Sequence, residues 1–202
     1  MNSARPKVLN LVCGRPLIGH VLAAAGALSP ARVMVVTAPG QDALRAAVAP
    51  ADCCVQDNPR GTGDAVRVAL EALGTSDRPV VIAHGDMPLV TGEALLGVVD
   101  ALPDHGAGIA VLGFHLEGAH AYGRLVLGDD GALLRIVEAA DADDRDKAIT
   151  FCNSGLMAAS SGDLLGGLVQ RLSTENAKAE LYLTDVIGLA RGDGIPCAAA
   201  TA

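Results

Sequence analysis

Over residues 17–102, short β-branched runs alternate with segments of helical spacing, and this alternation constrains the fold more tightly than any other feature of the 202-residue chain. Arg32-Val-Met-Val-Val-Thr37 lies between Pro30 and Pro39, and Pro79-Val-Val-Ile-Ala-His84 runs into Gly85-Asp86. Apolar at successive positions, both are expected as buried strands of a parallel sheet. Leu17, Val21, Ala24, Ala25 and Leu28 follow helical spacing up to Pro30. Val66, Ala69, Leu70 and Leu73 do the same, predicting a helix over 62–73 with one core face. A third helix is expected over 91–102, with Thr91 as N-cap and Glu93 favouring the dipole. With a short strand at Cys53-Cys-Val-Gln56 and a helix before it, the order is α/β with right-handed crossovers.

After Pro103 the pattern changes. Ile109 to His115 reads as a strand. Gly123 to Leu127, Gly128-Asp-Asp-Gly131 and Leu133 to Val137 read as a β-hairpin with an Asp-Gly turn. The charged stretch 141–147 is expected as a loop, 149–157 as a strand, and about 163–172 and 183–191 as helices. No internal repeat or linker divides the chain, so one domain is expected, with 1–103 and 104–202 as its halves.

Composition excludes several classes of function. A formal charge of −8 repels a phosphate backbone, and two Tyr, two Phe and no Trp offer few stacking platforms, so no nucleic-acid partner is expected. A phosphate-bearing ligand would need local donors and a metal ion. Cys13, Cys53, Cys54, Cys152 and Cys197 form no metal-ligand spacing and are expected to be buried, reduced thiols of a cytoplasmic protein. No run reaches the length of a membrane span, and no membrane partner is expected. His20, His84, His105, His115 and His120 show no ligand spacing, and no serine sits in a nucleophile elbow.

Two loops stand where open α/β sheets bind ligands, at the carboxyl ends of strands. In Gly85-Asp86-Met-Pro-Leu89, Asp86 can hold a hard cation that also meets phosphate oxygens; the plain alternative is a turn cap before the helix at Thr91. In Gln56-Asp-Asn-Pro-Arg-Gly61-Thr62-Gly63, glycines admit a ligand close to the backbone at a helix start; the plain alternative is a flexible turn with Thr62 as N-cap. Lys7, Gly123, Glu138 and Asn153 carry little weight singly.

Taken in order, Pro6-Lys-Val-Leu9, Gln56 with Gly61-Thr-Gly63, Gly85-Asp-Met-Pro-Leu89, Tyr122-Gly-Arg124, Ile136-Val-Glu138, Asn153-Ser-Gly155 and Asn176 to Asp185 resemble the sugar-phosphate nucleotidyltransferases over nearly the whole chain. The closest resemblance is to the uridylyltransferase domain of bifunctional N-acetylglucosamine-1-phosphate uridylyltransferase/glucosamine-1-phosphate acetyltransferase. It implies a Rossmann-like nucleotidyltransferase fold, with a mixed, mostly parallel sheet flanked by helices and a small β-hairpin subdomain. It also implies transfer of UMP from UTP to N-acetylglucosamine-1-phosphate, with pyrophosphate leaving and Mg²⁺ as cofactor. Gln56, Gly61 and Thr62 would meet the uracil, Lys7 the triphosphate, and Asp86 the Mg²⁺. His84, Gly85, Gly123, Glu138 and Asn153 would face the sugar. Lys7 and Asp86 are thereby the expected catalytic residues.

Relative to the family pattern the chain departs at both ends. The family's first strand and its glycine-rich loop, L-A-A-G-x-G-T-R-M, precede the Pro6-Lys7 segment and are not among these residues. The expectations are two exposed strand edges and weak or absent activity, with a catalytically inactive fragment or mis-started gene product as an alternative reading. The family's second Mg²⁺ ligand, an Asn, and its trimerising β-helix are also not among them, so a monomer is expected. His84 in place of Tyr and Ala140 in place of Lys leave another nucleotide or sugar phosphate as an alternative.

Overall fold

The computed structural model describes residues 6–103, 106–118 and 120–202. His105 therefore lies outside the described residues. A 3-10 turn at Lys7–Leu9 leads into a short antiparallel pair, β1 (Leu11–Val12) and β2 (Arg15–Pro16), closed by Cys13 and Gly14 at positive φ. The alternating half follows as α1 (Leu17–Ala25), β3 (Met34–Thr37), α2 (Asp42–Val48), β4 (Asp52–Val55), α3 (Thr62–Leu73), β5 (Val80–Ile82) and α4 (Gly92–Asp100). Helix α3 matches its expected span because it is bracketed by Gly61 and by Gly74, whose N–H bonds the Leu70 carbonyl. Thr91 caps α4 as expected, its hydroxyl accepting from the Ala94 N–H at 3.1 Å.

The second half is β6 (Ile109–His115), the hairpin β7 (Arg124–Leu127) and β8 (Leu133–Val137), α5 (Asp144–Lys147), β9 (Phe151–Ala159), α6 (Gly162–Val169), α7 (Val186–Gly192) and β10 (Cys197–Thr201). Helix α5 replaces the expected loop. Asp143 caps it by accepting from the Asp146 N–H, which turns a charged stretch into one helical turn.

Strand β9 organises the larger sheet. Antiparallel β6 runs along one of its edges, and antiparallel β5 and β7 take successive parts of the other; β10 lies parallel to β6 and β8 pairs with β7. The sheet is mixed, as expected, but parallel pairing does not predominate: among the described residues only β3–β4 and β6–β10 are parallel. The reason is β9, which returns from the hairpin side and inserts antiparallel between β5 and β6. Strand β5 is accordingly half-buried, at Val80, Val81 and Ile82 alike, and not a buried parallel strand. Of the cysteines only Cys152 and Cys197 are buried, and Cys13 is exposed.

Strands β3 and β4 form a separate two-stranded sheet. The same two helices cover both sheets. Helix α1 sets Ile18 against Val35 of β3 and Ala24 and Ala25 into the cluster holding Val81 of β5. Helix α3 packs on β3 and β4, and its Leu70 joins the core with Val80 and Ile82. The outer edges of β3 and β5 carry no strand partner among the described residues. Strand β6 shows the two-sided burial of a central strand: Ile109 and Val111 enter the main core, while Ala110 and Leu112 enter a second core under α4.

Candidate active site

The chain leaves β5 through Ala83-His84-Gly85 and places Asp86 beyond the strand's carboxyl end. Asp86 Oδ2 accepts from Lys7 Nζ at 2.7 Å. Lys7 is presented there because its neighbours anchor the 3-10 turn: Leu9 is buried against Ile18 and Val35, and Val8 packs beside Gly85. The hydrogen bond from Lys7 holds the Asp86 carboxyl below its ordinary value, against the upward push of burial. The same bond raises Lys7.

His84 lies over Gly155, where an added Cβ would fall 2.5 Å from the imidazole and where φ is +88°. The Gly155 N–H donates to Asn153 Oδ1 at 2.9 Å, and the Asn153 N–H donates to the Gly123 carbonyl at 2.8 Å. Gly123 adjoins Glu138, whose Oε1 accepts from the Thr184 hydroxyl at 2.9 Å. Thus His84, Asn153, Gly123 and Glu138, which lie between residues 84 and 153 in sequence, form one continuous run from β5 to the hairpin. Burial, then the carboxylates of Glu138 and Asp141, push the neighbouring Asp185 up.

Gln56 directly follows β4, its N–H bonded to the Thr37 carbonyl. Its Nε2 donates to Asp64 Oδ2 at 2.7 Å and approaches the Gly61 carbonyl at 3.5 Å. Asp64 is 2% exposed, and its Oδ1 accepts from Arg60 Nη2 at 2.9 Å and Arg67 Nη2 at 2.7 Å. Gly61 and Thr62 have a second task. A Cβ on Gly61 would meet the Leu181 carbonyl oxygen at 2.6 Å, the Gly63 N–H donates to that oxygen, and Thr62 Oγ1 accepts from the Leu183 N–H. Gly61, and not Thr62, occupies the N-cap of α3, since the Thr62 hydroxyl is spent on Leu183.

Segment 181–185 therefore ties the two regions together: Leu181 and Leu183 hold the Gly61 turn, and Thr184 holds Glu138. Thr184 and Asp64 join the site although the sequence alone does not single them out. The signals for Asp64 are Arg60, four positions before it, and Arg67, three positions after it on the helix. A cavity of about 460 Å³ at His120, Arg124 and Lys147 contains none of the predicted site residues.

No group of three His, Cys, Asp or Glu side chains able to hold a metal exists among the described residues. Asp86 alone, a hard carboxylate with 36% of its side chain exposed, fits Mg²⁺ in the way that ion is commonly bound, through one carboxylate and the phosphates of a substrate.

The MobA-like NTP transferase domain matches residues 1–154. The chain belongs to this nucleotidyltransferase family. Two relatives of the domain, each named Bifunctional protein GlmU, are 43% identical in Rhodospirillum rubrum and 44% in Dinoroseobacter shibae. The alignments cover 98% and 96% of this chain and 44% of each relative. This NTP transferase domain thus spans less than half the length of these relatives. A nucleoside-diphosphate-sugar pyrophosphorylase from Vibrio cholerae RC9, at 13% identity, shares the fold with a TM-score of 0.72 over 100% of this chain and 85% of the other. No helix among the described residues is long and apolar enough to cross a membrane.

Proposed function

We propose that this NTP transferase domain transfers UMP from UTP to N-acetylglucosamine-1-phosphate. The observation that carries the reading is the Lys7–Asp86 pair at the carboxyl end of β5, continuous through His84 and Gly155 with the Glu138–Thr184 pair. A cation, a carboxylate and a flanking polar cleft are the equipment for in-line phosphoryl chemistry, which needs positioning and charge neutralisation and no protein nucleophile.

A phosphate oxygen of the sugar phosphate attacks the α-phosphorus of UTP, a new P–O bond forms, and the α–β bridging bond breaks with its electron pair leaving on pyrophosphate. Lys7 exchanges Asp86 for triphosphate oxygens and neutralises the charge that develops there. Asp86 would hold Mg²⁺, which supplies charge neutralisation on the phosphates when bound. Gln56 meets the uracil. Glu138, fixed by Thr184, and Asn153, fixed between Gly123 and Gly155, orient the sugar, and His84 closes over it.

The test is to incubate the purified chain with UTP, N-acetylglucosamine-1-phosphate and Mg²⁺ and to follow pyrophosphate and UDP-N-acetylglucosamine, alongside UTP binding by calorimetry. Saturable UTP binding and matched formation of both products are expected. A folded sample that neither binds UTP nor forms product overturns the reading.

A further inference from the structure

We propose that Asp64 is a positioning residue that fixes which end of the Gln56 amide meets the nucleotide base, and so makes the site select a base carrying a ring N–H. The proposal rests on the reading of Gln56 as the base contact.

A glutamine amide offers a donor at one end and an acceptor at the other, in nearly the same shape. At Gln56 the choice is forced. Asp64 is an acceptor-only group when ionised, and although burial pushes its carboxyl up, hydrogen bonds from Arg67, Gln56 and Arg60 outweigh this and hold it down to about 2. Oδ1 is taken by the two guanidiniums, so Oδ2 faces Gln56 and accepts a proton from Nε2 at 2.7 Å. The other Nε2 proton is directed at the Gly61 carbonyl. Both donors of the amide are thus turned inward, and Oε1, which accepts no hydrogen bond among the described residues, is the end left for a ligand. An acceptor there suits uracil, whose N3 carries a proton, and opposes cytosine, whose N3 is itself an acceptor.

Asp64→Asn inverts this logic. Arginines only donate, so the new amide must keep its oxygen toward Arg60 and Arg67 and turn its NH₂ to Gln56. Gln56 then flips to accept with Oε1 and presents Nε2 outward, where cytosine N3 is the better partner.

The experiment measures dissociation constants of the full chain for UTP and CTP with Mg²⁺, before and after Asp64→Asn. The unsubstituted chain is expected to favour UTP, and the variant to lower the UTP:CTP preference by about tenfold, the size of one exchanged hydrogen bond. Glu71→Gln, which removes only the outer partner of Arg67, is expected to leave the ratio in place. A second measurement needs no substitution: the Gln56 side-chain amide protons should give slowly exchanging NMR signals that stay in place when UTP is added. An unchanged ratio in a folded Asp64→Asn chain, or freely exchanging Gln56 amide protons, overturns the role of Asp64 alone. No preference for UTP in the unsubstituted chain overturns the uridylyl reading along with it.

Discussion

Lys7 Nζ and Asp86 Oδ2 stand 2.7 Å apart across 79 positions of sequence, and the pair brings the 3-10 turn after Pro6 to the carboxyl end of β5. Both side chains remain open to solvent, at 66% and 36% exposure, so the contact is placed for exchange with a ligand more than for holding the fold. Lys7→Ala is expected to leave the melting temperature unchanged while lowering the rate of pyrophosphate release by about 10²-fold or more. Thermal melts beside a coupled pyrophosphate assay check this, and a parallel loss of both would assign Lys7 to the fold.

The Asp64 cluster makes stability sensitive to acid. Its carboxyl is held at about 2, below an ordinary value of 3.8, so the unfolded chain binds the proton more readily. The stabilisation is therefore complete above about 3.8 and is lost as pH falls toward 2, and the shift corresponds to about 2 kcal/mol. Urea unfolding across that window should show a loss that Asp64→Asn flattens.

Gly61→Ala is expected to cost about 1–3 kcal/mol, because φ is +116° and the new methyl group would fall 2.6 Å from the Leu181 carbonyl oxygen. The seam between the α3 turn and segment 181–183 should loosen with it. Hydrogen exchange at the Leu181 and Leu183 amides, which donate across that seam, is expected to accelerate.

Thiol chemistry should sort the cysteines by position. Cys13 is exposed and is expected to be alkylated in the native protein. Burial pushes the Cys197 thiol up to about 11, and Cys152 is also buried and raised by burial, so both should react only after unfolding. Mass spectrometry of iodoacetamide-treated samples with and without denaturant reads this out.

How much of this was legible in the chain depends on the range of the interaction. Helix α3 was readable to the residue because its glycine brackets and its apolar face are local signals. Strand β10 was not, since Cys197-Ala-Ala-Ala-Thr201 lacks a β-branched run and becomes a strand only by pairing with β6. The partner of β5 was misjudged for the same reason: an apolar run announces a strand but not its neighbour, and β9 comes from 70 or more positions away. At the site, Asp86 and Gln56 stood out at the ends of strands. Asp64 did not, because an acidic residue in the first turn of a helix is ordinarily a surface complement to the dipole, and only the fold reveals it as buried between two arginines.

The edges of β3 and β5 that carry no strand partner among the described residues reach beyond catalysis, to how the protein behaves in the tube. Among the described residues, Val80-Val81-Ile82 pairs only with β9, and the strand itself carries no proline, bulge or inward charge on the edge turned away from it. Such a flank acts as a template for any extended chain that arrives, a second copy included. For the described residues, light scattering that rises with protein concentration below the melting temperature is the expected sign of such pairing.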